Sequence, residues 1–294
     1  MSFFVALLVD GALAGAVYAL VALAFVVVYK ASRVINFALG EWVMFASRMV
    51  ASGSHAMGLG LVGAVGLGCA GMMVLAVVFN RVILRPLVGQ PAISLIMVTI
   101  GFGAFLRASA VFLFPGVPGS IALPIPSEPW FIAGVLLSPG KLIAAAAASV
   151  CVALVTWVYR TRTGVALRAI ADDPQAAMAA GVDIDRHFAI AWAMAGTIAT
   201  VAGTLWMSIS GGGGFSLVLV GLKVFPIVII GGLDSVPGTI LGALFVGVLE
   251  SETAGYLDPL LGAGFSSVAS YVVLLAMPMV RPYGLLGSPD IKRV

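Results

Sequence analysis

Few side chains in this 294-residue sequence could do chemistry, and their spacing excludes more reactions than it suggests. The two histidines, His55 and His187, fall in short loops expected on opposite sides of the apolar segments, so they cannot share a metal ion or relay a proton. No H-E-x-x-H, G-x-S-x-G or G-x-x-x-x-G-K-S/T occurs, which removes zinc hydrolysis, a nucleophile elbow and P-loop ATP hydrolysis. Asp172 and Asp173 are adjacent carboxylates, but Pro174 follows them, and that order marks a helix start rather than an acid–base pair. Cys69 and Cys151 lie inside apolar runs with no ligand neighbour and read as small hydrophobes. No buried nucleophile has a base beside it, so the chain does not read as an enzyme, and no cofactor or metal set is legible.

What remains are ionisable and polar groups inside apolar sequence, where such groups mark pathways or helix contacts. Glu41 and Arg48 are seven residues apart, two helical turns, and share a face. Each either points toward its own membrane interface or meets a neighbouring helix. Arg107 is close enough to the end of its run to snorkel. Asn36 and Gly40 share a face beside Glu41, with Phe37 between them, and Thr99 is a further polar group in apolar surroundings. These five positions, Asn36, Phe37, Gly40, Glu41 and Thr99, are the candidates for a substrate path; helix–helix hydrogen bonding is the alternative role.

The elements that must position them follow from composition. The chain is 62% hydrophobic and only 9% charged, against roughly 25% charged in soluble domains, and its mean hydropathy is +1.17. That excludes intrinsic disorder, nucleic-acid binding and a secreted disulfide scaffold, and predicts an all-α, polytopic integral membrane protein in a single domain, residues 1–294. The N-terminus lacks a basic region ahead of its apolar stretch, so the first span is expected to be retained. A crossing needs about 20 apolar residues. Nine runs qualify: 9–29, 36–52, 59–79, 92–114, 141–159, 187–209, 217–233, 237–256 and 265–281. The second is the weakest, interrupted by Asn36, Glu41 and Arg48.

Nine crossings place Lys30, Arg33, Arg81, Arg85, Arg160, Arg162, Arg168, Arg186, Arg281, Lys292 and Arg293 on one side, and only Lys141 and Lys223 on the other. The positive-inside rule then predicts the N-terminus outside and the C-terminus inside. The outer loop 115–140 is rich in Pro, Gly and Ser, carries Trp130 at an interfacial position, and is expected to be ordered, with room for a short surface helix. Gly11/Gly15 and Gly238/Gly242 are small-xxx-small pairs suited to close helix packing. Gly211 to Gly214 cannot hold a helix end, since each Gly costs about 1 kcal/mol against Ala, and predict a flexible break.

The inner loop 160–186 is the longest hydrophilic stretch, and within it DDPQAAMAAG writes a short helix with both ends specified. Asp173 suits the N-cap, Pro174 the first position, Gln175 to Ala180 the body and Gly181 the C′ position. Asp185 is placed to cap the following span. So short a helix is marginal alone and needs a surface to pack on. Met178 with the alanines offers a small apolar face, which fits either an ordinary connector or an element docking on a soluble partner.

Several motifs, in order along nearly the whole chain, carry a resemblance. RVINFALGEW (33–42), RTRTGVALRAIADDPQAAMAAGVDIDR (160–186) with AMAGTIATVAGTL (193–205), GLKVFPIVIIGGLDSVPGTILGALFVGVLE (221–250) and the ending around 277–287 resemble the branched-chain amino-acid ABC transporter permeases, specifically the smaller of the two permease subunits. The resemblance implies a bacterial inner-membrane importer in which this chain pairs with a second permease. Two P-loop ATPase subunits, which bind the ATP, dock below, and a periplasmic binding protein delivers the substrate above. It also implies that Asp173, Pro174, Gln175, Ala176, Met178, Ala179 and Gly181 form the helix that couples ATP hydrolysis to the path. Two positions depart from the family pattern: Leu39 stands where a His is common, and Asp234 stands where a Gly precedes Ser235. Relatives of this kind also carry urea or short amides, so branched-chain or other neutral amino acids are the expected substrates with amides as the alternative. A stand-alone carrier or channel, working without ATP or partners, and a non-transporting scaffold are the rival classes.

Overall fold

A helix that is apolar all round is stable only when surrounded. The first helix, α1 (Ser2–Ser32), has that character, and in the computed structural model it is the most enclosed element, with every residue from Val17 to Val28 buried. The structure describes residues 2–287, apart from 88, 89, 122, 124, 125, 127, 133, 134, 211, 213–215 and 263. The expected glycine break at 211–214 lies outside the described residues except for Gly212, as do Lys292 and Arg293.

After α1 come α2 (Leu39–His55), α3 (Leu61–Phe79), α4 (Ala92–Leu113) and α5 (Pro139–Arg160); α5 packs along α1, while α3 and α4 pack against α2. Two short helices, α6 (Arg162–Asp172) and α7 (Pro174–Ala179), lead into the long α8 (Ile184–Ser210). The chain closes with α9 (Ser216–Gly231), α10 (Val236–Tyr256), the single turn α11 (Asp258–Leu261) and α12 (Phe265–Val280). α3 continues through a π-helical turn, Asn80–Leu84, and a 3-10 turn, Arg85–Leu87.

Among the described residues, five helices are long and apolar enough to cross a bilayer: Phe3–Ser32, Leu61–Leu87, Ile93–Leu113, Pro139–Arg160 and Ile184–Ser210. α9 and α10, turned by 118° at a short break, pass that test only as a pair and bring the number to six. The chain is therefore a multi-pass helical membrane protein. The other expected runs are helical too, but α2 and α12 are short. α2 is short for a visible reason. α1 ends at Arg33 (φ 56°), and the chain turns back into the bundle as non-helical backbone before α2 begins. Phe37 N donates to Thr99 Oγ1 (3.3 Å), seven residues or about 10 Å along α4. Irregular backbone at that depth is tolerated because protein encloses it, and Asn36 and Ala38 are both buried.

The interior and the periphery differ in what they face. In α1 and α8, 78% and 61% of the most apolar stretch is buried, whereas in α3, α4 and α5 the share is 22%. Three equally apolar helices left open need lipid or another protein against them. An aromatic cluster from four helices, Trp42, Phe79, Phe102 and Trp192, ties the inner and outer layers, with ring centroids 4.2 to 6.0 Å apart. 

Both predicted glycine pairs pack helices. Gly11 and Gly15 of α1 lie against the backbone of α10, where a Cβ on Gly15 would stand 2.6 Å from Ala243 O. The facing Gly247 completes the crossing, because a Cβ there would stand 2.6 Å from Gly15 Cα. Gly247→Leu is expected to force the two helices apart and cost about 1–3 kcal/mol. A lowered unfolding midpoint of the solubilised chain checks this, and an unchanged midpoint contradicts it.

Three of the basic side chains, Lys30, Arg85 and Arg168, make their contacts at one end of the bundle. Arg85 bridges Asp185 (3.0 Å), Arg168 Nη1 donates to Tyr159 O (2.7 Å), and Lys30 lies over the Tyr159 ring. Asp185 is thus an ion-pair partner; Asp183 caps α8 instead, its Oδ1 accepting from Arg186 N (3.1 Å). The opposite end carries the 115–140 segment. Five prolines between 115 and 129 remove backbone donors and break any helix there. Among the described residues of that segment the regular structure is a hairpin in place of the short surface helix allowed for, β1 (Trp130–Ile132) with β2 (Val135–Leu137), pairing Trp130 with Leu137. At this hairpin end Asp258 accepts from Ser266 N (2.8 Å), Ser266 Oγ (3.0 Å) and Gly264 N (3.3 Å). These bonds, the Ser266 amide first, hold its carboxyl below the ordinary range.

Candidate path and docking helix

Local signals place α7 as read. Asp173 is the N-cap: its Oδ1 accepts from Gln175 N (2.9 Å) and Ala176 N (3.0 Å). Pro174 opens the helix, and Gly181 takes φ 82° just past its end, with Gly181 N bonded to Met178 O and Val182 N to Ala177 O. The only buried residue of α7 is Ala177. Asp173, Pro174, Gln175, Ala176, Met178, Ala179 and Gly181 are all exposed, Met178 by 55%. α6 beneath it is fixed by Gly164, Leu167 and Ile170, which are buried. The result is a braced one-turn helix presenting an apolar side chain at the basic end.

The candidate path residues are brought together around the α2 N-terminus, though not all with free surface. Asn36 Oδ1 accepts from Ala38 N (3.0 Å), which shapes the turn into α2. Phe37 stacks on Phe225 of α9 at 4.7 Å. Thr99 is fully buried and donates to Ile96 O (2.9 Å) while accepting from Phe37 N. Gly40 lies against α9, where a Cβ would stand 2.5 Å from Val218 O, and the facing Gly221 needs the same closeness. Glu41 sits in the first turn of α2, where the helix dipole favours a carboxylate. It pairs with Arg107 of α4, so Arg107 turns inward to Glu41 and does not snorkel.

Arg48 does not join that pair. Its Nη1 donates to Val117 O (2.8 Å), at the hairpin end. Beside Arg48 lies a cavity of about 390 Å³, lined also by Met44, Ala110, Val111, Phe114 and the backbone turn after α4.

A second polar cluster was not foreseen. Lys223, expected on the outside, is inside α9. Its Nζ donates to Glu250 Oε2 (2.9 Å) and Tyr18 Oη (3.3 Å). Tyr18 donates to the same carboxylate oxygen (2.8 Å), and Ser270 donates to Glu250 Oε1 (2.7 Å). Four helices, α1, α9, α10 and α12, meet on one carboxylate. The available signal was a Glu and a Lys, each inside an apolar run, of opposite sign.

Residues 7–281 match the family described as the branched-chain amino acid transport system, permease component. This chain belongs to that family. The high-affinity branched-chain amino acid transport system permease protein LivH of Salmonella typhimurium is 29% identical, over 99% of this chain and 98% of the relative. LivH of Escherichia coli K12 is 28% identical over the same shares, and BraD of Pseudomonas aeruginosa is 28% identical over 98% and 97%. Among solved structures, a chain of PsaBC from Streptococcus pneumoniae in complex with Fab shares the fold, with a TM-score of 0.52 at 15% identity, covering 93% of this chain and 91% of that one. The resemblance carried by the motifs at 33–42, 160–186 and 221–250 is thereby the family itself, and the chain is a branched-chain amino acid transport permease by family.

Proposed function

We propose that the chain is one permease subunit of an ATP-driven importer for branched-chain or other neutral amino acids in a bacterial inner membrane. In this reading it crosses the membrane nine times, hairpin end outward and basic end inward. It pairs with a second permease, rests on two P-loop ATPase subunits, and receives substrate from a periplasmic binding protein. The observation that carries the proposal is α7. A capped helix of one turn, anchored through Ala177 and exposing Met178 beside a basic cluster, has no use for that exposure within this chain. Closure of the ATPase pair would push α7 and α6 against α1 and α8, shifting the permease pair between outward- and inward-open states. The chain contributes path and lever; ATP binds its partners.

Purification of the tagged chain from native membranes in mild detergent tests this. Recovery of a second permease and two P-loop ATPases is the expected result, and reconstituted complex with binding protein is expected to take up leucine only with ATP. A chain that purifies alone, or one whose flux proceeds without ATP, replaces the importer by a carrier.

A further inference from the structure

The Glu41–Arg107 pair is lopsided in a way that a purely structural ion pair is not. The Glu41 side chain is 9% exposed, whereas that of Arg107, on the open helix α4, is 48% exposed. Arg107 lies six residues, about 9 Å, before the last residue of α4, and its guanidinium is turned inward, toward the start of α2. An arginine carries five N–H donors, and the one hydrogen bond it makes among the described residues is to Glu41. The rest of the fork is presented outward at membrane depth, where an unoccupied cation is costly.

The pair also has an approach. Glu41 is one turn below Met44 on α2, and Arg107 is one turn below Ala110 and Val111 on α4. These three residues line the 390 Å³ cavity that opens at Arg48, a size within the roughly 300–1,000 Å³ of small-molecule sites. The cavity thus has Arg48 at its mouth and an aliphatic wall of Met44, Ala110 and Val111, and the Glu41–Arg107 pair follows one helical turn beyond that wall. Gly103 leaves room for the pair, since a Cβ there would stand 3.2 Å from Glu41 Oε2.

We propose that Arg107, held by Glu41, receives the carboxylate of a small aliphatic amino acid in the α2–α4 groove, with Met44 and Val111 contacting the side chain. Two parallel N–H donors match a carboxylate in a way an ammonium cannot. The assignment names the substrate contact within the importer reading and rests on it.

The test uses the complete transporter in proteoliposomes with saturating binding protein, reading ATP-driven uptake of radiolabelled leucine and the unfolding midpoint of each variant. Arg107→Lys keeps the charge opposite Glu41 and removes the fork. Glu41→Gln/Arg107→Gln removes both charges, so no buried carboxylate is left unpaired. Uptake is expected to fall at least ~10-fold in both, with midpoints near the wild-type value. Wild-type uptake by Arg107→Lys overturns the proposal, and so does recovery in the double variant, which would make Arg107 only a counter-ion. Wild-type complex that assembles but takes up no leucine overturns the importer reading instead.

Discussion

Glu250→Leu is expected to destabilise the solubilised protein by roughly 3–5 kcal/mol, lowering the unfolding midpoint by on the order of 10 °C. The carboxylate accepts from Tyr18, Lys223 and Ser270, so its removal strands one charge and two hydroxyls where three helices converge on α10. Lys223 has 22% of its side chain exposed, too little to re-solvate the ammonium by rotation. The damage comes from the orphaned cation more than from a lost attraction, and that distinction is measurable. Lys223→Met/Glu250→Leu removes the charge together with its partner and is expected to recover most of the midpoint, as apolar replacement of buried pairs commonly does. A double variant as unstable as the single would mean that the carboxylate's hydroxyl partners dominate. A single variant of wild-type stability would mean that water reaches the cluster.

That cluster also shows where the sequence stops being informative. Tyr18 and Glu250 are 232 positions apart, and Glu41 and Arg107 are 66 apart. Periodicity shows each as a polar residue in an apolar run without naming a partner. Distance from the end of its run allows Arg107 to snorkel; the buried carboxylate at the α2 N-terminus offers a stronger site. Charge bias assigns Lys223 to the outside because it counts loop charges and has no means of recognising a paired one. By contrast, α7 is legible to within one residue, because Asp173, Pro174 and Gly181 all lie within nine consecutive positions and act on the backbone beside them. The apolar runs were legible as helices, yet the re-entrant turn at 33–38 was not, since the tertiary enclosure that permits it lies in α4. The hairpin at 130–137 was missed although the prolines before it were in view; they exclude a helix but do not by themselves specify a strand pair.

The same locality makes the second large effect sharp. Met178→Asp is expected to abolish ATP-driven uptake, by ~100-fold or more, while the chain still reaches the membrane and unfolds at the wild-type temperature. Met178 is the one large apolar side chain on α7, and 55% of it is exposed, so the substitution removes little from the isolated fold. On the proposed docking surface it places a carboxylate against a partner, and each 1.4 kcal/mol of desolvation left uncompensated weakens docking tenfold. Ala177 remains buried beneath, so the helix keeps its anchor and its Asp173 cap. Three readings follow from two measurements. Loss of uptake with loss of co-purified ATPase assigns α7 to binding the ATPase; loss of uptake with the ATPase retained assigns it to transmitting the stroke. Uptake at the wild-type rate returns α7 to the role of a connector between α6 and α8, and with it the importer reading loses its main support.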